Sequence, residues 1–237
     1  MNNKNLKKWI FIYGIISHIL YIILISIAMI YYPGGNQLNP DTIGYSFFTN
    51  FLSDLGGLSS HSGESNVISY SISVSANLLV ISSAFLIYLV FFNIVKKPEK
   101  SRHYHRLASS LAMISCIFLS IAGIIPWDFN LYLHLFFTFT SFLIYFLAPI
   151  FYAKSIVKNK KYPNLYAKIF IVLFIVMTSH FFVLLLAPGA ETQYGLLIRG
   201  ISQKILVFTW VIVIICEIFG GLKVYNILKR SDTSEAL

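Results

Sequence analysis

Long apolar runs alternate with short polar breaks along most of the chain. Between Lys8 and Asp41, Glu64 and Lys96, Arg106 and Asp128, Asp128 and Lys154, and Lys168 and Glu191 there is no Asp, Glu, Lys or Arg, and these gaps hold 32, 31, 21, 25 and 22 residues. About 18 apolar residues suffice for a helix to cross a bilayer. The pattern predicts spans over 8–32, 66–95, 105–125, 131–153, 165–187 and 200–224. The sixth contains Lys204 and Glu217. An ionised residue at mid-membrane costs ~2.5–3.5 kcal/mol and each Leu, Ile, Val or Phe returns ~0.3–0.6. The apolar residues around Leu206 and Val213 therefore offset one such charge, and both charges lie away from the centre.

Only 11% of the 237 residues are charged and 57% are hydrophobic, against about 25% charged in a soluble domain. A soluble monomer is excluded. The expected fold is all-α: a polytopic transmembrane bundle of six helices, one domain over 1–237, with an amphipathic helix in the first outer loop. Positive loops stay cytoplasmic. With both termini inside, Lys4, Lys7 and Lys8, the 96–106 and 154–168 groups, and Lys223, Lys229 and Arg230 make 16 of the 18 Lys and Arg cytoplasmic, leaving Arg199 and Lys204 outside. A multi-pass protein of the cell membrane with cytoplasmic termini is the expectation.

The net charge of +9 does not point to nucleic acid, because it is spread over short inner loops; membrane lipid headgroups are the expected partners. The apolar run after Lys8 exceeds the ~7–15 residues of a signal core, and Ser26-Ile27-Ala28 matches a cleavage site weakly, so a retained first helix is expected. Cys116 and Cys216 fall within predicted helices and read as packing residues.

The 33–65 segment is the one long connection. Asn39-Pro40 reads as a helix start and Gly56-Gly57 as a stop. Over 40–55, Ile43, Phe47, Phe48, Phe51, Leu52 and Leu55 fall on one arc, and Thr42, Ser46, Thr49, Asn50 and Ser53 on the other. That predicts an amphipathic helix lying on the bundle or in the headgroup layer. Asp54 falls at the edge of the apolar arc, so it either meets a polar partner, becomes neutral, or caps the turn at Gly56-Gly57.

Asn50-Phe51-Leu52-Ser53-Asp54-Leu55-Gly56, then Gly123-Ile124-Ile125-Pro126 and His134 at the start of the next span, resemble the uncharacterised membrane family catalogued as domain of unknown function 998. More distantly, the chain is similar to DRAM/FRAG-type membrane proteins. The resemblance covers roughly Trp9 to Tyr225 and implies six spans. It directs attention to Ser53, Asp54, Gly56, Pro126 and His134 and implies no chemistry.

A titratable side chain inside a span is a candidate functional residue because its exposure to lipid is costly. At 1.5 Å per residue, His134 lies roughly 5 Å, Lys204 about 6 Å and His180 about 10 Å below the outer boundary. In helix two, Asn66, Ser69, Tyr70, Ser73 and Asn77 form a polar stripe. With Asp54, Asp128 and Arg199 just above, these residues could enclose one outward-facing polar pocket. The plainer alternatives are that His134 is satisfied by Asp128 or a headgroup, that the stripe is helix-packing glue, and that Lys204 snorkels to the boundary. Towards the cytoplasm, Glu217 and His18 suggest a Glu–His or Glu–Lys contact locking helix six to helix one or five.

Three functions follow. The first is binding or movement of a lipid headgroup or small polar ligand by Asp54, Ser73, Asn77, Asp128, His134, His180, Arg199 and Lys204. The second is an intramembrane hydrolase with Ser53, Asp54, His134 and His180 as catalytic candidates. Two His and two carboxylates could hold zinc, but neither His-x-x-x-His nor His-Glu-x-x-His occurs. The third is a structural subunit assembling with a partner or in an oligomer. No cofactor is expected, because the chain has no phosphate loop, dinucleotide fingerprint or Gly-x-Ser-x-Gly elbow.

Overall fold

The computed structural model describes residues 3–96, 98–160 and 162–234. Its helices are α1 (Asn3–Ile30), α2 (Val67–Ile94), α3 (Glu99–Ile124), α4 (Leu131–Tyr145), α5 (Ala148–Val157), α6 (Asn164–Leu186) and α7 (Gln193–Ser234), with a 3-10 helix at Leu52–Gly56. Among the described residues, six helical segments are long and apolar enough to cross a membrane: Asn5–Ile30, Val67–Ile94, Glu99–Ile124, Leu131–Val157, Asn164–Leu186 and Gln193–Lys223. The protein is an all-helical, multi-pass membrane protein. The helices overrun the apolar runs at α3 and α7, since a helix need not stop where the chain becomes polar.

Local chemistry sets the ends. Asn130 caps α4, its side chain accepting from the Leu133 amide, and Pro163 precedes α6. Span four is two helices. Pro149 stands in the first turn of α5; its ring would collide with the carbonyl of Tyr145 four residues back, and it has no N–H to offer, so the helix breaks at Phe146-Leu147. At the end of α6, Arg199 donates from Nε to the Pro188 carbonyl at 2.9 Å and from Nη2 to those of Leu184 at 3.1 Å and Ala187 at 3.0 Å. These are the carbonyls a helix C-terminus leaves unpaired.

The helices close into a ring. α1 packs on α2, α2 on α3, α3 on both α4 and α5, α5 on α6, α6 on α7, and α7 returns to α1. Small residues permit the closest approaches. A Cβ on Gly14 would lie 2.6 Å from Ile87 Cδ1 and 2.8 Å from Ile218 Cδ1, so α1, α2 and α7 meet there. The half of the bundle in which α1 begins is solid, with Phe11, Phe91, Tyr152 and Phe170 buried. The other half, beneath the 31–66 loop, is hollow.

That loop departs from the sequence expectation. In place of an amphipathic helix over 40–55 it forms turns, isolated bridges pairing Gly34 with Ile43 and Ser59 with Ser65, and the 3-10 helix Leu52–Gly56. The reason is local competition. The Asn50 carbonyl oxygen Oδ1 accepts from the Ser46 amide at 2.9 Å and Asp54 Oδ2 from the Phe51 amide at 2.9 Å, which offers the backbone partners other than a helical ladder. Gly44, at φ +68, takes a left-handed conformation unsuited to a right-handed helix. The apolar arc does not gather on one face: Ile43 is almost fully exposed and Leu55 fully buried.

Candidate functional site

The loop forms a cap over the hollow half, built around Asn50 and Asp54. Asn50 Nδ2 donates to the Gly35 carbonyl at 2.8 Å and to Asp54 Oδ2 at 2.9 Å. The other Asp54 oxygen lies 3.4 Å from His61 Nε2, and the His61 ring stacks on Trp127 with centroids 4.7 Å apart. Trp127 covers Gly57 so closely that a Cβ there would lie 2.5 Å from the indole nitrogen. Asp54 thus meets polar partners inside the cap.

Three anchors tie the cap to the bundle. Lys204 of α7 is buried and donates from Nζ to the carbonyls of Asn50 and Gly200; its ammonium stands 5.5 Å from the Tyr45 ring centre and 5.3 Å from that of Phe47, a cation–π arrangement. It does not snorkel. Asp128 accepts from the Leu58 and Ser59 amides at 2.9 and 2.8 Å. From α2, Ser73 donates to the Leu55 carbonyl at 2.9 Å and Asn66 to that of Gly57 at 2.9 Å. Within the cap, burial pushes the Tyr32 hydroxyl up to about 12, against the opposing hydrogen bond from the His61 amide. Tyr45 is raised as well, first by burial and then by the Asp54 charge.

Beneath the cap is a cavity of about 170 Å³ reached by α1, α2, α3, α4, α6, α7 and the 3-10 helix. Its sides are apolar, with Val80, Ile81, Leu119, Leu173, Met177 and Leu206; Tyr88, Tyr145 and Trp210 line it deeper in the bundle. Near the cap it is lined by Ser53, Asn77, His134, Thr138 and Gln203. Among the described residues the side chains of Ser53, Asn77 and Thr138 make no hydrogen bond within the protein. His134 Nδ1 bonds the Ile125 carbonyl at 3.0 Å, not Asp128, and its Nε2 has no partner among the described residues. Gln203 Oε1 accepts from the Leu52 amide at 2.7 Å, which leaves its NH₂ group unused.

The candidates named from sequence therefore separate. Ser53, Asn77 and His134 line the cavity. Asp54, Ser73, Asp128 and Lys204 are spent on the cap, and Arg199 on the end of α6. His180 lines a separate groove, and its Nδ1 lies 2.9 Å from Ser202 Oγ. Ser53 and His134 line one cavity, and among the described residues no carboxylate lines it with them and no three His, Cys, Asp or Glu come together to hold a metal. Thr138 and Gln203 went unnoticed because they carry no charge; the signal that could have found them is a polar side chain within a span. In the solid half, Glu217 receives the Tyr162 hydroxyl at 3.4 Å. The expected lock is absent: His18 Nδ1 bonds the Gly14 carbonyl at 2.7 Å and its ring faces Trp210, while Lys168 is exposed.

A family model described as protein of unknown function (DUF998) matches residues 41–217. The chain belongs to this DUF998 family. No curated protein and no solved structure matches it. The matched stretch holds the cap from Asp41 onward and every cavity-lining residue except Tyr21 and Ile25 of α1. The DUF998 unit thus brings its own roof, polar rim and apolar walls.

Proposed function

We propose that this DUF998 protein binds a membrane amphiphile in the capped cavity: a lipid or lipid-derived molecule with a small uncharged, hydrogen-bonding head. The head meets Ser53, Asn77, Thr138, His134 and Gln203, and the apolar body lies along Val80, Ile81, Met177 and Leu206. One observation carries the reading. Polar groups taken out of water are normally hydrogen-bonded, and here a set of half-buried ones at one end of an apolar cavity is unspent. Among the described residues no Asp, Glu, Lys or Arg lines the cavity, so a neutral head fits it better than a phosphate. The distribution of Lys and Arg supports a cytoplasmic location for both termini, with the cap outside, so the polar rim sits near the outer headgroup layer.

Gly123 offers a clean test. A Cβ there would meet Asn77 Cβ at an ordinary 3.7 Å, so the position accepts a side chain at its root, and Gly123→Leu is expected to fill the cavity near its polar rim. Protein purified in mild detergent, extracted with organic solvent and read by mass spectrometry is expected to release one lipid species that Gly123→Leu loses at unchanged thermal stability. Equal release from both proteins overturns the proposal.

A further inference from the structure

Beside the cavity, in the same half of the bundle, lies an apolar groove of about 260 Å³ between α4 and α6. It exists because span four changes partners at its break. α5 packs on both α3 and α6, whereas α4 packs on α3 and stands off α6. Phe139 and Leu143 line one side and Phe181 and Leu184 the other. Phe142, Met177 and Leu206 line both the groove and the cavity. They are the wall between the two.

We infer that the groove is a lateral portal by which an acyl chain of a membrane lipid reaches the cavity, and that Phe142, Met177 and Leu206 form the partition that moves. The inference rests on the cavity-binding reading and adds the route and the source of the ligand.

Depth identifies the occupant. At 1.5 Å per residue, Leu184 lies ~3 Å and Met177 ~14 Å from the end of α6 at Leu186. In a hydrocarbon layer about 30 Å thick, what stands against an apolar groove at that level is an acyl chain. Among the described residues the groove has one titratable lining residue, His180, and its Nδ1 is at Ser202.

The alternative path, through the cap, is bonded shut. Leu52, directly over the cavity, is held by Gln203, and the cap is anchored by Lys204, Asp128 and Ser73. The side wall has no such bonds: among the described residues no hydrogen bond joins α4 to α6. α4 bonds elsewhere, Ser141 Oγ lying 2.9 Å from Ser115 Oγ and Tyr145 OH 3.0 Å from Tyr88 OH. The hinge is already present, since the ladder stops after the Phe146 amide, which bonds the Phe142 carbonyl at 2.9 Å, and α4 can tilt there without carrying α5. Met177 supplies an unbranched, adaptable side chain at the partition.

Trp210 lines the cavity, so it serves as the reporter. With Trp9→Phe and Trp127→Phe it is the only tryptophan, and with Cys116→Ala and Cys216→Ala a pair of new cysteines at Phe142→Cys and Met177→Cys can be bridged by a short bifunctional thiosulfonate. The protein is placed in vesicles of phosphatidylcholine brominated on one acyl chain, a contact quencher. The unbridged form is expected to lose half or more of its Trp210 emission relative to ordinary phosphatidylcholine. Bridging is expected to abolish most of that loss, and thiol reduction to restore it.

Equal quenching of bridged and reduced protein overturns the portal and leaves the cavity reading standing, because the chain then enters elsewhere. No quenching in either form also overturns it, and the retained lipid read by mass spectrometry decides the cavity separately. Dimers trapped through a single Leu143→Cys would place a second copy of the chain in the groove and overturn the lipid as its occupant.

Discussion

The cap and the cavity beneath it hold similar residues and use them in opposite ways. Asp54, Asn50 and Lys204 are buried and polar, and Ser53, the residue next to Asp54, is half-buried on the cavity. In the cap Asp54, Asn50 and Lys204 have partners in the chain, Lys204 at a backbone carbonyl far away in sequence, while at its edge the Asn66 side-chain oxygen has none among the described residues. In the cavity, Ser53, Asn77 and Thr138 have none. Burial of a polar residue in a membrane protein is therefore a weak guide to a binding site, and so is a lone unpaired atom such as Ser69 Oγ or His105 Nε2 in the packed interior; what distinguishes the site is several groups with unused hydrogen-bonding capacity lining one cavity.

The contrast can be broken most strongly at Asp54. Asp54→Ala removes the acceptor of the Phe51 amide and of Asn50 Nδ2 along with the His61 pair. Bonds to a charged group are worth ~1.5–3 kcal/mol each, so the expected loss is on the order of 3 kcal/mol, read as a lower thermal transition in detergent micelles. Asp54→Asn keeps one acceptor and is expected to lose less. An unchanged transition would mean the cap does not depend on its buried carboxylate.

A smaller effect is expected on the alkaline side. Folded Tyr32 holds its proton up to about 12, because burial disfavours the phenolate, whereas an ordinary tyrosine ionises at 10.0. Between those values the native state binds more protons than the unfolded one, so stability falls as pH rises through that window. Tyr32→Phe removes its share and leaves that of Tyr45, which has the same sign. The fall measured by thermal unfolding across this range becomes shallower, and an identical pH profile would contradict the burial of the Tyr32 hydroxyl.

The smallest effect on stability is expected in the cavity itself. Ser53→Ala and Asn77→Leu remove groups with no partner in the chain, so the transition should stay within about 0.5 kcal/mol while retained lipid falls. Together with Asp54→Ala, this separates the two regions: one set of polar residues holds the fold, the other leaves it unaffected. A large destabilisation by Asn77→Leu would join the two.

Much of the architecture was readable in advance. Five of the six crossings follow from uncharged gaps and the sixth from an apolar run that offsets its charges, while α3 and α7 run beyond the expected spans. Asp54, His134, Lys204 and Asn77 were recognisable as unusual because polar groups in apolar surroundings are. Their roles were not recognisable. The amphipathic arc over 40–55 was real as a pattern and wrong as a helix, since Asn50 and Asp54 bind the backbone that a helix would have needed. The proposed mixed-sign pocket needed Asp54, Asp128, Arg199 and Lys204 to be available together, and each instead meets carbonyls or amides that no sequence spacing reveals.

The chain by itself determined that it crosses a membrane, how many times, and where its irregular loop lies. Those properties depend on the transfer cost of each residue summed over a local window. Tertiary structure alone decided which polar groups are consumed and which remain, because hydrogen-bond satisfaction is a property of pairs. Lys204 finds Asn50 across 154 residues of sequence, and Asp128 finds Leu58 across 70. The groove beside the cavity has the same origin: it is where α4, released by Pro149, follows α3 and stands off α6.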